Sequence, residues 1–277
     1  MKSIKKYILI IAAALLTVTL SACKNVTAEE AINKSAEISK NIKNTEFKSF
    51  TTSEYITGKD PRKKEATITG TIINEPFSIH ASVEAKADKP TSFELYIQGK
   101  ALYEKVGSEP WKKDLYSSYL FERYQNISKT EKRMEFYKKV AKDFKLVKEN
   151  DTYVLTYSGS GDQFSDFATS LVEASARQLN PYSVKDVEFK SVNIKYVISK
   201  DFTPISNEVT MEVVSKIIPK AKTLKITQKI TYSNVNKVNS IDLPEEVKNA
   251  KGESINTKSM EVQFDDINNG IGLANFN

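Results

Sequence analysis

Polar and apolar positions along the chain change period several times, and each change marks an element. Tyr7 to Leu20 is an almost unbroken apolar run without a charge, preceded by Lys2, Lys5 and Lys6. Ala31, Ser35, Ile38 and Ile42 then recur at helical spacing behind Thr27-Ala28-Glu29-Glu30, which has the form of a capping box. A helix is predicted over 28–42. From Glu46 the period falls towards two. Phe47, Phe50, Tyr55 and Ile56 stand among Ser and Thr over 46–57, and Gly58 to Pro61 makes a turn. Ala66, Ile68, Gly70 and Ile72 alternate with Thr67, Thr69 and Thr71. Phe77, Ile79, Ala81, Val83, Ala85 and Ala87 face one way, and Ser78, His80, Ser82, Glu84, Lys86 and Asp88 the other. One buried and one wet face is the signature of an antiparallel sheet. Phe93, Leu95 and Ile97 continue the pattern, Gly99-Lys100 makes a two-residue turn, and Ala101 to Val106 returns.

The middle of the chain reads as helical. Leu115 to Tyr124 carries aromatics at near-helical spacing, and Ser128-Lys129-Thr130-Glu131 is a second capping box. Met134, Tyr137, Val140, Ala141 and Phe144 form its apolar stripe, while Lys132, Arg133, Lys138, Lys139 and Lys142 are assigned to a solvated face. A strand at Tyr153 to Tyr157 leads through Gly159-Ser160-Gly161-Asp162 to a third helix with Phe164, Phe167, Ala168, Leu171, Val172 and Leu179. Strands resume with Val192, Ile194, Tyr196 and Ile198, then Val209, Met211 and Val213, then Leu224 to Tyr232. Residues 251–277 are polar and without period, and are expected to form a loose tail. Helix, strands, helices, strands in that order predict an α+β domain over 28–250, an antiparallel sheet wrapped around helices.

The apolar run at the start falls short of the about 20 residues that a membrane span needs. Its layout is that of a secretory signal over 1–22. Leu20-Ser21-Ala22-Cys23 resembles the lipobox of bacterial lipoproteins. That resemblance implies a diacylglyceryl group on Cys23, cleavage before it, and a lipidated N-terminus over 23–27. The expected location is the extracytoplasmic face of a cell membrane, with Cys23 as the anchor. Three of the 41 basic residues lie in the signal, so the remainder carries 38 against 35 acidic. The basic balance is therefore slight, and an exported protein meets no genomic DNA, so no nucleic-acid partner is expected. Lys-, Asn- and Ile-rich usage suggests a Gram-positive source.

Larger stretches carry a second resemblance. Phe93-Glu94-Leu95-Tyr96-Ile97-Gln98-Gly99-Lys100-Ala101-Leu102-Tyr103 runs into Glu109-Pro110-Trp111-Lys112-Lys113; later come Tyr196 to Pro204 and Ile241-Asp242-Leu243-Pro244-Glu245-Glu246-Val247. With the element order, these segments are similar to Gram-positive members of the LolA-like and LprG-like lipoprotein superfamily. The resemblance implies a strongly curved antiparallel half-barrel whose concave apolar face is covered by helices. In several members that cleft carries acyl chains, and others act as sensors or adaptors.

Candidate chemistry is sparse. Cys23 is the only cysteine and His80 the only histidine, so thiolate and histidine-cluster metal sites are excluded by count, and no cofactor is expected. His80 lies on the polar side of its strand, where a solvated or cross-strand role outweighs a catalytic one. No G-x-S-x-G is present, and the glycine-rich loop before Asp162 lacks the Lys-Ser/Thr ending of a phosphate loop. The chain thus reads as non-enzymatic. The small residues Gly70, Ala81, Ala85 and Ala87 on inward faces would leave room near the helices. Phe93, Leu95, Ile97, Phe167 and Leu171 are the candidate lining of a cleft for a lipid or other apolar ligand. The alternative is a sensor or adaptor with a filled interior that acts through protein contacts.

Overall fold

The computed structural model describes residues 26–55, 63–86, 91–99, 101–114, 131–161, 164, 167, 187–215 and 223–252. The signal and Cys23, the aromatic segment Leu115–Tyr124, Leu171 and the tail beyond 252 lie outside the described residues. The chain opens with helix α1 (Ala28–Lys40), then strands β1 (Asn44–Tyr55), β2 (Lys63–Asn74), β3 (Phe77–Lys86), β4 (Thr91–Gln98), β5 (Ala101–Val106) and β6 (Lys112–Asp114). Helix α2 (Glu131–Lys139) and a 3-10 turn (Ala141–Asp143) follow. The second run of strands is β7 (Lys145–Glu149), β8 (Thr152–Gly159), β9 (Val187–Ser199), β10 (Pro204–Ser215) and β11 (Leu224–Ser233). Helix α3 (Glu245–Lys248) and the short β12 (Lys251–Gly252) close it.

All twelve strands form one open sheet in the order β12-β6-β5-β4-β3-β2-β1-β11-β10-β9-β8-β7. Every pairing is antiparallel except β12 on β6. The α+β half-barrel expected from the sequence is therefore the observed fold. Its centre is β1, which pairs with β2 on one side and with β11 on the other, so the two meanders are joined along one long strand. Residues directly opposite share a face. Phe47 stands between Gly70 and Tyr232, and the same row continues through Ala81 and Leu95.

Local chemistry explains the elements. The Thr27 side chain accepts the Glu30 N–H at 3.1 Å, as the capping box predicts, and Glu29 and Glu30 sit where the helix dipole favours acids. Helix α1 stops at Lys40, so Ile42 lies beyond it, and the buried stripe runs through Ala31, Ile32, Ser35 and Ala36 rather than through Ile38. Gly99 adopts φ +62°, the left-handed conformation its hairpin requires. Strand β7 was not expected from the sequence. Lys145, Lys148 and Glu149 give it the polar character of a sheet edge, and Val147 stands 54% exposed there.

Three apolar clusters hold the sheet. On the inward face, α1, α2, the 3-10 turn and β8–β11 enclose a core that includes Ile32, Tyr137, Phe144, Leu155, Ile198 and Leu224. The other inward half carries Phe77, Ile79, Val83, Phe93, Leu95, Ile97 and Leu102 from β3–β5. On the outward face, Tyr96, Tyr103 and Trp111 are covered by Ile241 and Val247 from the C-terminal segment, where Trp111 Nε1–H donates to Glu246 Oε1 at 3.2 Å. Each fully buried large side chain contributes about 1.5–3 kcal/mol.

Candidate functional site

The two inward clusters do not merge across the central strands. Between them, β1 turns Thr45, Phe47, Ser49, Thr51 and Ser53 to the inward face, a composition far more polar than that of β3 or β9. The four hydroxyl residues are buried. Thr45 Oγ1 donates to the Glu46 and Ser233 carbonyls, whereas no hydrogen bond joins the Ser49 or Thr51 hydroxyl to another described residue. Around this seam, Phe47, Ile68, Gly70 and Ile72 on one side and Gln228, Ile230 and Tyr232 on the other are half-buried. The centre of the inward face is thus an apolar floor with a hydroxyl seam, still partly open, between two closed cores.

Gly70 shapes that floor. A Cβ there would stand 2.5 Å from the His80 carbonyl oxygen and 2.8 Å from the Phe47 ring. The absent side chain lets the Phe47 ring approach β2 closely, as strand glycines allow. Ile68 and Ile72, two residues either side of Gly70, flank the ring on the same face.

Above the floor stands Arg133 of α2. The sequence pattern assigned it to a solvated helix face; the structure turns it inward instead. Its Nη1–H donates to the Tyr232 hydroxyl at 3.3 Å, and its Nε is wholly buried with no hydrogen-bond partner. The available signal was spacing, since Arg133 precedes Tyr137 by four residues and so continues the stripe Tyr137–Ala141–Phe144. Tyr137 and Tyr196 lie nearby, each buried with its hydroxyl engaged. Tyr137 donates to Asn207 Oδ1 at 2.6 Å, and Tyr196 lies 2.6 Å from Ser35 Oγ. Burial pushes both phenols well above the ordinary tyrosine value.

The lining residues expected from the sequence are divided. Phe93, Leu95 and Ile97 sit together on β4, closed into one cluster, with Leu95 2% exposed. Phe167, also 2% exposed, belongs to the other cluster, stacked on Phe136 at 4.4 Å between ring centroids. The structure therefore does not bring Phe167 to the β4 residues, and Leu171 lies outside the described residues. Alternation along a strand identifies which side chains point inward but not which inward positions are covered. Of the small residues expected to leave room, Ala81 and Ala85 are buried within the β3–β5 cluster, Ala87 lies outside the described residues, and Gly70 alone borders the half-open floor.

His80 takes the cross-strand role expected of it. It stacks on Tyr96 with centroids 4.2 Å apart and reaches Glu94 Oε1 at 3.0 Å through Nε2. The exposed large apolar side chains are Phe50, 39% exposed on β1, and Val147 on β7, five strands away, so they make no contiguous patch among the described residues.

Residues 27–252 match the family described as "Family of unknown function (DUF6612)". No curated protein matches the sequence. Among solved structures, the chain is similar to the lipoprotein LppX of Mycobacterium tuberculosis, with TM-score 0.44 and 10% identity over 78% of this chain and 98% of that one. It is similar also to LprF from Mycobacterium bovis, with TM-score 0.44 and 12% identity over 78% of this chain and 96% of that one. A LolA superfamily protein from Nitrosomonas europaea matches with TM-score 0.18 and 10% identity, over 80% of this chain and 97% of that one.

Proposed function

As the chain belongs to the DUF6612 family, whose own function is unknown, we propose that it is a lipid-anchored, extracytoplasmic protein that binds an amphipathic lipid on the inward face of its sheet, without catalysis. The observation that carries this reading is the half-buried floor of Phe47, Ile68, Gly70, Ile72 and Ile230 between two closed cores. A sheet face needed only for stability would be filled there as it is on either side. Apolar ligand sites are concave and mostly apolar, with a few polar groups that orient the ligand, which is the composition found here. Anchorage is supported by the lipobox at Leu20 to Cys23 behind an apolar signal.

Full-length protein extracted in a mild detergent and sprayed intact in a mass spectrometer tests the reading. The expected result is a population heavier by one lipid that is lost on organic extraction, and that returns when a fluorescent fatty acid is added. A chain that emerges ligand-free and takes up no such probe would overturn it.

A further inference from the structure

Arg133 is a half-buried cation whose Nε is wholly buried and which has no counter-charge among the described residues. It offers five N–H donors in a fixed fork. The described residues supply one hydrogen bond, to the Tyr232 hydroxyl at 3.3 Å, which is longer than an ordinary N–H···O bond. Nε is buried without a partner, and no carboxylate of the described residues forms an ion pair with it. A cation buried at Nε and without an ion pair costs stability unless something supplies the opposite charge.

What surrounds it decides what that something is. Arg133 touches Tyr232; Tyr232 stands opposite Phe47; the Phe47 ring lies on Gly70, and Ile68 and Ile72 flank it. A charged group thus joins an apolar floor without interruption, with the buried hydroxyls of Ser49 and Thr51, which bond to no other described residue, alongside. We infer that Arg133 is the head-group site of the cleft, binding the oxyanion of an anionic amphiphile (a carboxylate or phosphate) whose hydrocarbon chain lies along Phe47, Ile68 and Ile72. The inference rests on the proposed lipid-binding function and specifies the ligand's charge and orientation. Guanidinium and oxyanion would form the bidentate, charge-assisted pair that such forks favour.

The test uses the full-length chain held in amphipol, titrated with cis-parinaric acid and with its methyl ester, which has the same chain and no charge. The acid is expected to bind at least about tenfold more tightly than the ester, the ratio one charge-assisted pair supplies. In Arg133→Met the acid should fall to the ester's affinity while the ester is unchanged, and the ligand-free melting temperature should hold or rise, because an unpaired charge has gone. Arg133→Lys should keep part of the preference. If wild type binds acid and ester equally, or Arg133→Met keeps the preference, the head-group assignment is wrong while lipid binding stands. If neither probe binds, lipid binding itself fails. Inorganic phosphate alone should leave the melting temperature unchanged; a shift equal to the acid's, lost in Arg133→Met, would make this a free-anion site and overturn the amphiphile.

Discussion

Three buried or half-buried polar side chains, Arg133, Tyr137 and Tyr196, stand where helix meets sheet, and they differ in how they are satisfied. The two tyrosines have hydroxyl partners at 2.6 Å, to Asn207 and Ser35. Burial raises their phenol pKa values above the ordinary 10.0, although these hydrogen bonds pull the other way. A folded-state value above the unfolded one means the stabilising contribution is complete below pH 10 and is lost as pH rises beyond it. The urea midpoint should therefore be level from neutral pH to about pH 10 and decline above it, by up to about 1.4 kcal/mol per pH unit for each phenol. Tyr137→Phe should flatten part of that decline. It should also lower stability at pH 7 by about 1–3 kcal/mol, because Asn207 loses its buried partner. A decline of equal slope in wild type and variant would show that the phenol is not what titrates. Gly70 offers a second test at this scale. Gly70→Val sets a side chain against the His80 carbonyl and the Phe47 ring. Overpacking of this kind costs about 1–3 kcal/mol, and displacing the ring should also weaken fatty-acid uptake, read by the same fluorescence titration.

The elements show what the sequence pattern can and cannot report. Alternation placed β3 correctly because one face is covered and the other mostly wet, so period two survives, while β5 followed from the Gly99-Lys100 turn. It missed β7 because an edge strand is protected by charge rather than by apolar residues, as Lys145, Lys148 and Glu149 show. It placed Arg133 outside because a charged residue is assigned to solvent by type, even at stripe spacing. The inward direction of Phe93, Leu95 and Ile97 was legible, yet the half-open floor two strands away was not, since openness depends on what packs above a face. The C-terminal segment makes a further element-scale prediction. Ile241 and Val247 cover Tyr96, Tyr103 and Trp111 on the outward face, and β12 pairs with β6, which would otherwise be the sheet's edge. A chain stopped after Gly252 should keep the full-length melting temperature. One stopped after Ser240 should lose several degrees and aggregate, because an aromatic cluster and a strand edge are uncovered together. Equal melting temperatures for the two truncations would show that this cover contributes nothing.

At the scale of the whole molecule, the site and the proposed anchor constrain each other. Helix α1 starts at Ala28, five residues after Cys23, and is fixed to the inward core through Ala31, Ile32 and the Ser35–Tyr196 contact. Five residues span at most about 18 Å, so a lipidated Cys23 would hold this helix, and the inward face it covers, beside the bilayer. A diacylglyceryl group has two chains, enough for stable retention where one chain would exchange. Cys23→Ala should therefore move the protein from the membrane to the soluble fraction with its urea midpoint unchanged, since no described contact depends on that residue. Retention of the variant through a carbonate wash would refute the anchor. Proximity yields the sharper expectation. If the cleft draws its ligand from the bilayer at its own base, inserting about 20 Gly/Ser residues between Asn25 and Val26 should leave affinity for free cis-parinaric acid as it was. The insertion should slow uptake of the same probe from vesicles carrying the anchored protein, because a linker of that length holds the cleft some 25 Å from the surface on average. Unchanged uptake would mean that the ligand arrives through water, and that the short tether serves location alone.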